Sequence, residues 1–291
     1  MELQESSNDM MFTERSLVNS LTGTLFDRAI GLNFKKSDKN WSAQAGIYGD
    51  SMKANTSNSN KSSGKADEGF GASTRVTFAP INTSDDVIHV GGFAGYRSTN
   101  GKGELNDNSP SFGYETTHMS NLKLTDTGTI VGIDDAKMIG LELAAKHGPF
   151  SIQSEYSKAE IQREKSLTSL DFDAFYVKAG WTLTGESRTY KGSDGEFKRL
   201  KPKNKFQIGK PGFGALELAA RYDQNDLTDN DIKCGSQKRA TLALNWYMNE
   251  NVRLMADYSR SFDIKGSHLT TLRGGQPDSI DVFTFRTQWA F

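Results

Sequence analysis

The chain has 291 residues, of which 35% are hydrophobic and 10% aromatic, and its mean hydropathy is −0.60. It contains no run of eighteen apolar residues, which excludes a transmembrane helix, and a formal net charge of −1 provides no basic footprint for nucleic acid. The single cysteine, Cys234, excludes an internal disulfide framework, and we expect it to be an inert thiol in a loop.

The amino terminus shows no export signal. Residues 1–16 lack the basic region and the following apolar stretch that a secretory signal requires. A protein of the outer membrane must be exported. If the strand pattern described next is that of a membrane barrel, we expect a signal peptide and further strands upstream of residue 1.

Alternating apolar and polar residues predict about eleven strands of membrane-spanning length. Side chains alternate between the two faces of a strand, so one face can meet hydrocarbon while the other meets water. The first hairpin, for example, places Ile30, Leu32 and Phe34 on one face. The predicted strands are residues 28–35, 41–49, 71–79, 87–97, 137–146, 150–161, 172–183, 214–223, 239–248, 252–258 and 280–291.

The connections between these strands alternate in length, which is typical of a barrel with short turns at one rim and long loops at the other. Residues 37–40, 147–149 and 249–251 form tight turns, whereas 51–69, 98–136 and 265–279 form long polar connections. The second long connection contains a candidate short strand, SFGYETTHM, which we assign to the loop. The charged stretch 185–212 is the exception, since it is long where the alternation predicts a turn.

The last strand indicates which kind of barrel this is. Phe283, Phe285, Trp289 and Phe291 share one face, with aromatic residues near both tips of the strand. Aromatic girdles of this kind mark the two interfaces of outer-membrane barrels. We therefore predict an all-β, antiparallel transmembrane β-barrel. The alternative is a soluble β-sandwich or β-barrel binding module whose apolar faces meet inside.

Five stretches together resemble the phosphate-selective porin O and P family. They are residues 6–16 (SSNDMMFTERS), 146–156 (KHGPFSIQSEY), 185–190 (GESRTY), 214–227 and 243–260, and they follow in the family's order over nearly the whole chain. The resemblance implies a sixteen-stranded outer-membrane porin, usually trimeric, with the stretch like 6–16 folded into the lumen. On that basis residues 1–291 are one domain, with a constriction-loop segment at 1–27, barrel strands at 28–291 and about five strands missing upstream.

The resemblance fails at one stretch that bears on selectivity. In phosphate-selective members, the connection corresponding to residues 98–136 carries arginines at alternate positions. The equivalent stretch here, SFGYETTHM, contains no arginine. We therefore expect weak anion selectivity at most, and a general diffusion channel without anion selectivity is a second alternative.

Basic side chains on the water-facing positions are the candidate site, because a pore selects by the charge pattern of its wall. The predicted pore-lining and anion-binding residues are Arg15, Arg75, Lys178, Lys198, Arg199, Lys201, Arg221, Arg239, Arg253 and Arg286. Lys35 and Lys146 share this face with the acidic residues Glu142, Glu155, Glu217, Asp223 and Asp257. The charges could therefore pair across strands and only stiffen the wall.

The densest basic cluster comprises Lys198, Arg199, Lys201, Lys203 and Lys205. Folded into the periplasmic mouth it would concentrate anions, because like charges held close together add their potentials. As a solvated turn it would have no specific role.

Nothing in the sequence indicates catalysis or a cofactor. His89, His118, His147 and His268 are scattered without metal-ligand spacing, and GESRTY lacks the features of a phosphate-binding loop. We expect a non-enzymatic porin, without a cofactor, through which small hydrophilic solutes or inorganic anions such as phosphate diffuse across the bacterial outer membrane. Its expected partners are these solutes, outer-membrane lipid and, in a homotrimer, copies of itself, with no nucleic acid.

Overall fold

The computed structural model describes residue 2 and residues 4–26, 29–51, 69–98, 111–164, 166–271 and 274–290. Most of the predicted loop 51–69, residues 99–110 of the long connection and Phe291 lie outside this described part. One short helix and fifteen strands occur in it: α1 (Asn19–Phe26), β1 (Ala29–Asp38), β2 (Trp41–Ser51), β3 (Gly71–Asn82), β4 (Asp86–Ser98), β5 (Gly113–Thr117), β6 (Ser120–Asp126), β7 (Ile133–His147), β8 (Phe150–Arg163), β9 (Leu170–Thr182), β10 (Tyr190–Lys191), β11 (Glu196–Phe197), β12 (Ala215–Asp229), β13 (Ile232–Tyr247), β14 (Val252–Lys265) and β15 (Ser279–Trp289).

Eleven of these strands form one antiparallel sheet, in the order β1-β2-β3-β4-β7-β8-β9-β12-β13-β14-β15. These are the eleven strands predicted from the alternation, so the all-β, antiparallel architecture is confirmed. The remaining strands form two small hairpins, β5-β6 and β10-β11. Within the described residues β1 and β15 each have a single neighbour, so the sheet is not closed into a barrel.

The hairpin of β12 and β13 is longer than predicted. The strands extend to Asp229 and Ile232, and Asn230 turns the chain at a φ of 47°. A two-residue hairpin turn requires a residue that tolerates positive φ, and asparagine does so better than most. The extension also places Cys234 in β13, where it is buried. The expectation of a loop cysteine was therefore wrong.

The outer face of the sheet exposes a band of apolar side chains. Leu141 and Phe285 are each 65% exposed, and the apolar run of β9 and the turn after it extends from Phe175 to Leu183. Those eight residue steps cover about 27 Å along a strand. At a tilt of about 40° they span about 20 Å across a membrane, close to the apolar height of roughly 25 Å of outer-membrane barrels.

All four tryptophans of the chain lie at the rim with the short turns. Trp41 begins β2, whereas Trp181, Trp246 and Trp289 lie at or near the ends of β9, β13 and β15. Amphipathic rings of this kind favour the boundary between hydrocarbon and water. The rim with the short turns therefore coincides with one edge of the apolar band.

Among the described residues, no helix has the length and apolar character needed to cross a membrane.

Three segments cover the inner face of the sheet. They are residues 2–26, the hairpin β5-β6 and the connection 183–214. Leu21 and Leu25 lie one turn apart on α1 and join the largest apolar core. Phe112, just before β5, packs on Phe172 of β9 with ring centroids 5.3 Å apart. The candidate strand in SFGYETTHM thus exists as β5, in a small hairpin separate from the large sheet.

Candidate functional site

Long polar side chains line the inner face, because inward residues alternate with the apolar outward ones along each strand. On β12 they are Glu217, Arg221 and Asp223, and all three are buried. A buried charge requires a partner of opposite sign or a full set of hydrogen bonds. The segments folded against the sheet supply many of these partners.

Glu2 anchors the beginning of the amino-terminal segment. Its carboxylate lies 3.4 Å from Nζ of Lys178 and 3.5 Å from Nη1 of Arg221, and it accepts a 2.7 Å hydrogen bond from the amide of Ser16. Burial alone would raise the pKa of Glu2, but the two cations and the Ser16 hydrogen bonds outweigh it and lower the pKa to about 2. Lys178 also pairs with Glu5 at 3.2 Å, and burial raises the pKa of that carboxyl.

Asp223 of β12 binds the middle of the amino-terminal segment. It accepts hydrogen bonds from the amide of Leu17 at 2.9 Å and from Arg239 at 2.6 and 3.1 Å. Arg239 and Arg221 in turn donate to the carbonyl of Arg15 at 2.8 and 3.3 Å. Two predicted pore-lining arginines are therefore bound to the segment that covers them.

The Arg15 side chain turns back onto its own segment. It donates to the carbonyls of Glu2 and Glu5 and is half-buried. Thr13 fixes the next position, since its amide donates to Asp257 at 2.6 Å and its hydroxyl to the same carboxylate at 2.8 Å. The amino-terminal segment is thus pinned across β8, β9, β12, β13 and β14.

The connection 183–214 is held by a second set of ion pairs. Arg188 pairs with Glu217 at 2.8 Å and donates to the carbonyl of Asp9 at 3.1 Å, which joins both inward segments. Burial alone would lower the pKa of Arg188, but Glu217 and Tyr247 raise it. Arg75 contacts Glu142 at 2.7 and 2.8 Å and the carbonyls of Asp194 and Gly195 at 2.9 and 2.8 Å.

Other side chains of the inner face contact the same connection. Nδ1 of His89 lies 2.6 Å from the hydroxyl of Tyr190, and Lys146 donates to the carbonyl of Arg188 at 2.9 Å. Lys35 of β1 pairs with Asp194 at 2.8 Å. Burial alone would raise the pKa of Asp194, but Lys191 and Lys35 lower it to about 2.

The structure divides the basic cluster of the connection. Lys198 lies near Asp9, Asp194 and Glu196, and Arg199 is half-buried beside the inner face. In contrast, three lysines are exposed at the rim: Lys201, Lys203 and Lys205. The single cluster predicted from sequence therefore has an inner and an outer part, and Lys201 is not brought together with the other predicted residues.

Besides Arg15, whose partners are backbone carbonyls, three predicted arginines have no carboxylate within ion-pair distance among the described residues: Arg199, Arg253 and Arg286. Nε and Nη2 of Arg199 make no hydrogen bond there, and burial together with the charge of Arg253 lowers its pKa. Arg253 is fully buried, donates to the carbonyl of Met10 and to Gln288 at 2.6 Å each, and lies over the Tyr247 ring. These arginines carry the least compensated positive charge of the inner face.

A cleft of about 260 Å³ remains between the amino-terminal segment and the first strands. Gln4, Thr22 and Phe26 line its segment side, whereas Arg75 and Glu142 lie on the sheet side. Charges of both signs therefore face this opening. No group of three or more His, Cys, Asp or Glu that could hold a metal occurs among the described residues.

The sequence interpretation missed the carboxylates and the arginine supplied by the covering segments. Glu2 and Asp9 lie in a stretch without periodicity, and Arg188 lies in GESRTY, which was considered only as a phosphate loop. The available signal was that GESRTY places charged residues, Glu186 and Arg188, inside a connection that we otherwise took to be solvated. The alternative in which the inner charges pair across strands does occur, for Arg75 with Glu142 and for Arg239 with Asp223. Further pairs join the strands to the covering segments.

Comparison with known proteins gives a consistent assignment. Residues 2–291 match the family model described as phosphate-selective porin O and P. The chain is 29% identical over 239 residues to Porin O of Pseudomonas aeruginosa, which covers 75% of this chain and 52% of that protein. It is 28% identical over 256 residues to an uncharacterized protein of Caulobacter vibrioides, covering 87% and 49%. The chain thus spans about half the length of these curated relatives.

Proposed function

The chain belongs to the phosphate-selective porin O and P family, whose members are outer-membrane porins of Gram-negative bacteria, and we propose that its inner face lines a water-filled channel. Small hydrophilic solutes cross this channel by diffusion, driven by their own gradients and without a cofactor or a chemical step. The pore domain comprises residues 1–291, with the amino-terminal segment as its constriction.

The separation of one sheet into two unlike faces is the observation that carries this proposal. Leu141 and Phe285 are mostly exposed on the outer face, whereas Glu142 and Lys178 of the inner face are buried under polar segments. A soluble sandwich or barrel module would bury its apolar faces in a core. Exposed apolar bands backed by charged walls are characteristic of barrels in lipid.

A weak preference for anions follows from the uncompensated arginines. Asp223 and Glu217 neutralise their partners at short range, but Arg199, Arg253 and Arg286 have no such carboxylate in the described part of the chain. Positive charge that is not neutralised raises the local anion concentration, although salt screens it within about 8 to 10 Å. Inorganic anions such as phosphate are therefore the proposed solutes.

A general diffusion channel without anion selectivity is the second candidate. The cleft beside the amino-terminal segment faces both Arg75 and Glu142, whose charges cancel. If solutes pass through this opening, the wall exerts little net field on them.

The zero-current potential in a planar bilayer under a KCl gradient distinguishes the two candidates. We expect an anion-selective sign for the wild type and a smaller potential for the double variant R199Q/R286Q. The control is K36Q, which removes an exposed lysine from β1. Potentials near zero in all three proteins would favour the unselective channel, equal anion-selective potentials would contradict the role of Arg199 and Arg286, and a cation-selective wild type would contradict the anion proposal.

We also propose that the channel assembles as a homotrimer through part of its outer apolar band. Apolar side chains such as Leu141 and Phe285 are mostly exposed on this band, so part of it is available for contact with further copies of the chain. Analytical ultracentrifugation in detergent tests this proposal, and a monomer as the only species would contradict it.

A further inference from the structure

The connection 183–214 leaves the inner face after Leu200 and forms a closed loop at the rim. The amide of Phe206 donates to the carbonyl of Met248 at 2.7 Å, and the amide of Gly214 donates to the carbonyl of Asn204 at 2.8 Å. Gly212 has a φ of 139°, and a Cβ there would lie 2.4 Å from the carbonyl oxygen of Lys205. Glycine is therefore needed to close this loop. We refer to residues 203–213 as the hook.

The hook packs against the outer face of the sheet. The Phe213 ring stacks on Trp246 with centroids 5.1 Å apart, and Phe206 meets the same ring edge-on at 5.4 Å. Nε1 of Trp246 donates to the carbonyl of Phe213 at 2.7 Å. Trp246 shares its face with Leu242 and Leu244, which belong to the exposed apolar band. The hook thus continues this band beyond the end of β13.

The tip of the hook exposes apolar side chains beside lysines. Ile208 is 94% exposed and Phe213 is 54% exposed. Residues 201–213 contain four lysines and no acidic residue. Lys205 pairs with Glu250 of the neighbouring turn at 2.6 Å, whereas Lys203 and Lys210 have no carboxylate within ion-pair distance among the described residues. An exposed isoleucine and phenylalanine with flanking cations match a membrane surface with anionic headgroups.

The position of the hook agrees with this chemistry. It lies at the rim where all four tryptophans of the chain are found, next to Trp246 itself. Tryptophan at a strand end marks the level of the headgroups. The apolar tip therefore lies at the depth of the acyl-chain boundary, and the lysines lie on the water side of it.

We propose that the hook is a lipid-binding element, in which Ile208 and Phe213 enter the membrane and Lys203 and Lys210 bind the phosphates of anionic phospholipids. The leaflet concerned is the one on the side of the short turns. Lys203, which the sequence placed at the pore mouth, thus has a lipid-facing role, while Lys198 and Arg199 of the same connection face inward. This inference depends on the membrane location of the chain and not on its ion selectivity.

Spin labels test the position of the hook. In the reconstituted protein with the C234S background, I208C and M119C receive nitroxides. Met119 is the matched control, because it is 90% exposed but lies between β5 and β6 on the inner side. We expect the ratio of collisions with oxygen to collisions with a water-soluble nickel chelate to be several-fold higher at position 208. Equal ratios at the two positions would overturn the proposal.

The lipid class is tested by unfolding in vesicles of phosphatidylcholine with and without phosphatidylglycerol. We expect phosphatidylglycerol to raise the unfolding temperature of the wild type, and the variant K203Q/K210Q to lose most of that rise. The control is K233Q, which removes an exposed lysine at the opposite rim. A rise of the wild-type size in K203Q/K210Q, an equal loss in K233Q or no rise in the wild type would contradict binding of anionic lipid by the hook.

Discussion

Replacing Asp223 by alanine should release the amino-terminal segment from the wall. This buried carboxylate accepts hydrogen bonds from Arg239 and from the amide of Leu17, and it lies 3.4 Å from Arg221. The D223A variant leaves two buried guanidinium groups without that counter-charge. The contacts that remain include carbonyls of the segment, Glu2 and, for Arg221, the Phe12 ring.

The size of the effect follows from the burial of these groups. Removing one partner of a buried ion pair costs about 3 to 5 kcal/mol. The lower end applies, because the carbonyl contacts and Glu2 still stabilise the guanidinium groups in part. About 3 kcal/mol corresponds to a change of about a hundredfold in an equilibrium constant. The ratio of docked to released segment should therefore fall by about that factor in D223A.

Trypsin cleavage after Arg15 measures this ratio. The bonds of Arg15 to the carbonyls of Glu2 and Glu5 protect the site while the segment is docked, and cleavage of a briefly opened site follows its population. We expect faster cleavage and a larger single-channel conductance in D223A, with D223N intermediate. The control is D226A on the same strand, which removes an exposed carboxylate opposite Asp173. Wild-type cleavage and conductance in a folded D223A would refute the argument.

Three further predictions concern the same architecture. R188M leaves buried Glu217 without its cationic partner, with hydrogen bonds from Tyr247 and Asn245 remaining. Tryptic cleavage after Lys198 should therefore rise by about a hundredfold, and R188M/E217M should recover much of the protection. The pKa of Glu2 is about 2 while the segment is docked and near 4.5 once it is released. The ionised Glu2 therefore stabilises docking by about 3 kcal/mol at pH values above 4.5, and this contribution is lost as the pH falls through about 2. A spin label on the segment should therefore become mobile at low pH in the wild type, and E2Q should remove that component of the pH dependence. L141R places a charge in the apolar band at a cost of about 2 to 4 kcal/mol, so its heat-modifiable, folded fraction in lipid should fall, whereas L141M should behave as the wild type.

The strands could be predicted from the sequence because the two faces of each strand differ in polarity. Leu242 and Leu244 are exposed on the outer face while Thr241 and Asn245 are buried on the inner face, and this contrast produces the period of two. Beyond the apolar band the outward residues are polar as well, as Asp226 and Thr228 of β12 are, so the contrast is lost even though Asn225 and Leu227 on the inner face are buried. Residues 224–229 and 232–238 pair in β12 and β13 with one register irregularity after Asp226. Their apolar residues do not alternate with the polar ones, since Leu227, Ile232 and Cys234 stand among polar neighbours, and the sequence pattern therefore made the two strands too short.

The candidate site was only partly predictable for a different reason. The alternation correctly places Arg221 and Arg239 on the inner face, because the face on which a side chain lies depends only on its position along the strand. Apart from Asp223 of β12, their partners come from residues about two hundred positions away, since Glu14 and Arg15 supply carbonyls. Such contacts depend on how irregular segments fold against the wall. No local period encodes that folding, and the same holds for Arg188 and for the division of the basic cluster.

The face of the sheet that lines the channel can be identified with cysteines along β15. In the C234S background, T284C and R286C lie on the inner face, whereas F283C and F285C lie on the exposed outer face. A charged methanethiosulfonate reagent is added while the current through a planar bilayer is recorded. We predict a lower current after modification at positions 284 and 286 and an unchanged current at 283 and 285. Loss of current at the outer pair, or no difference between the pairs, would contradict a channel lined by the inner face.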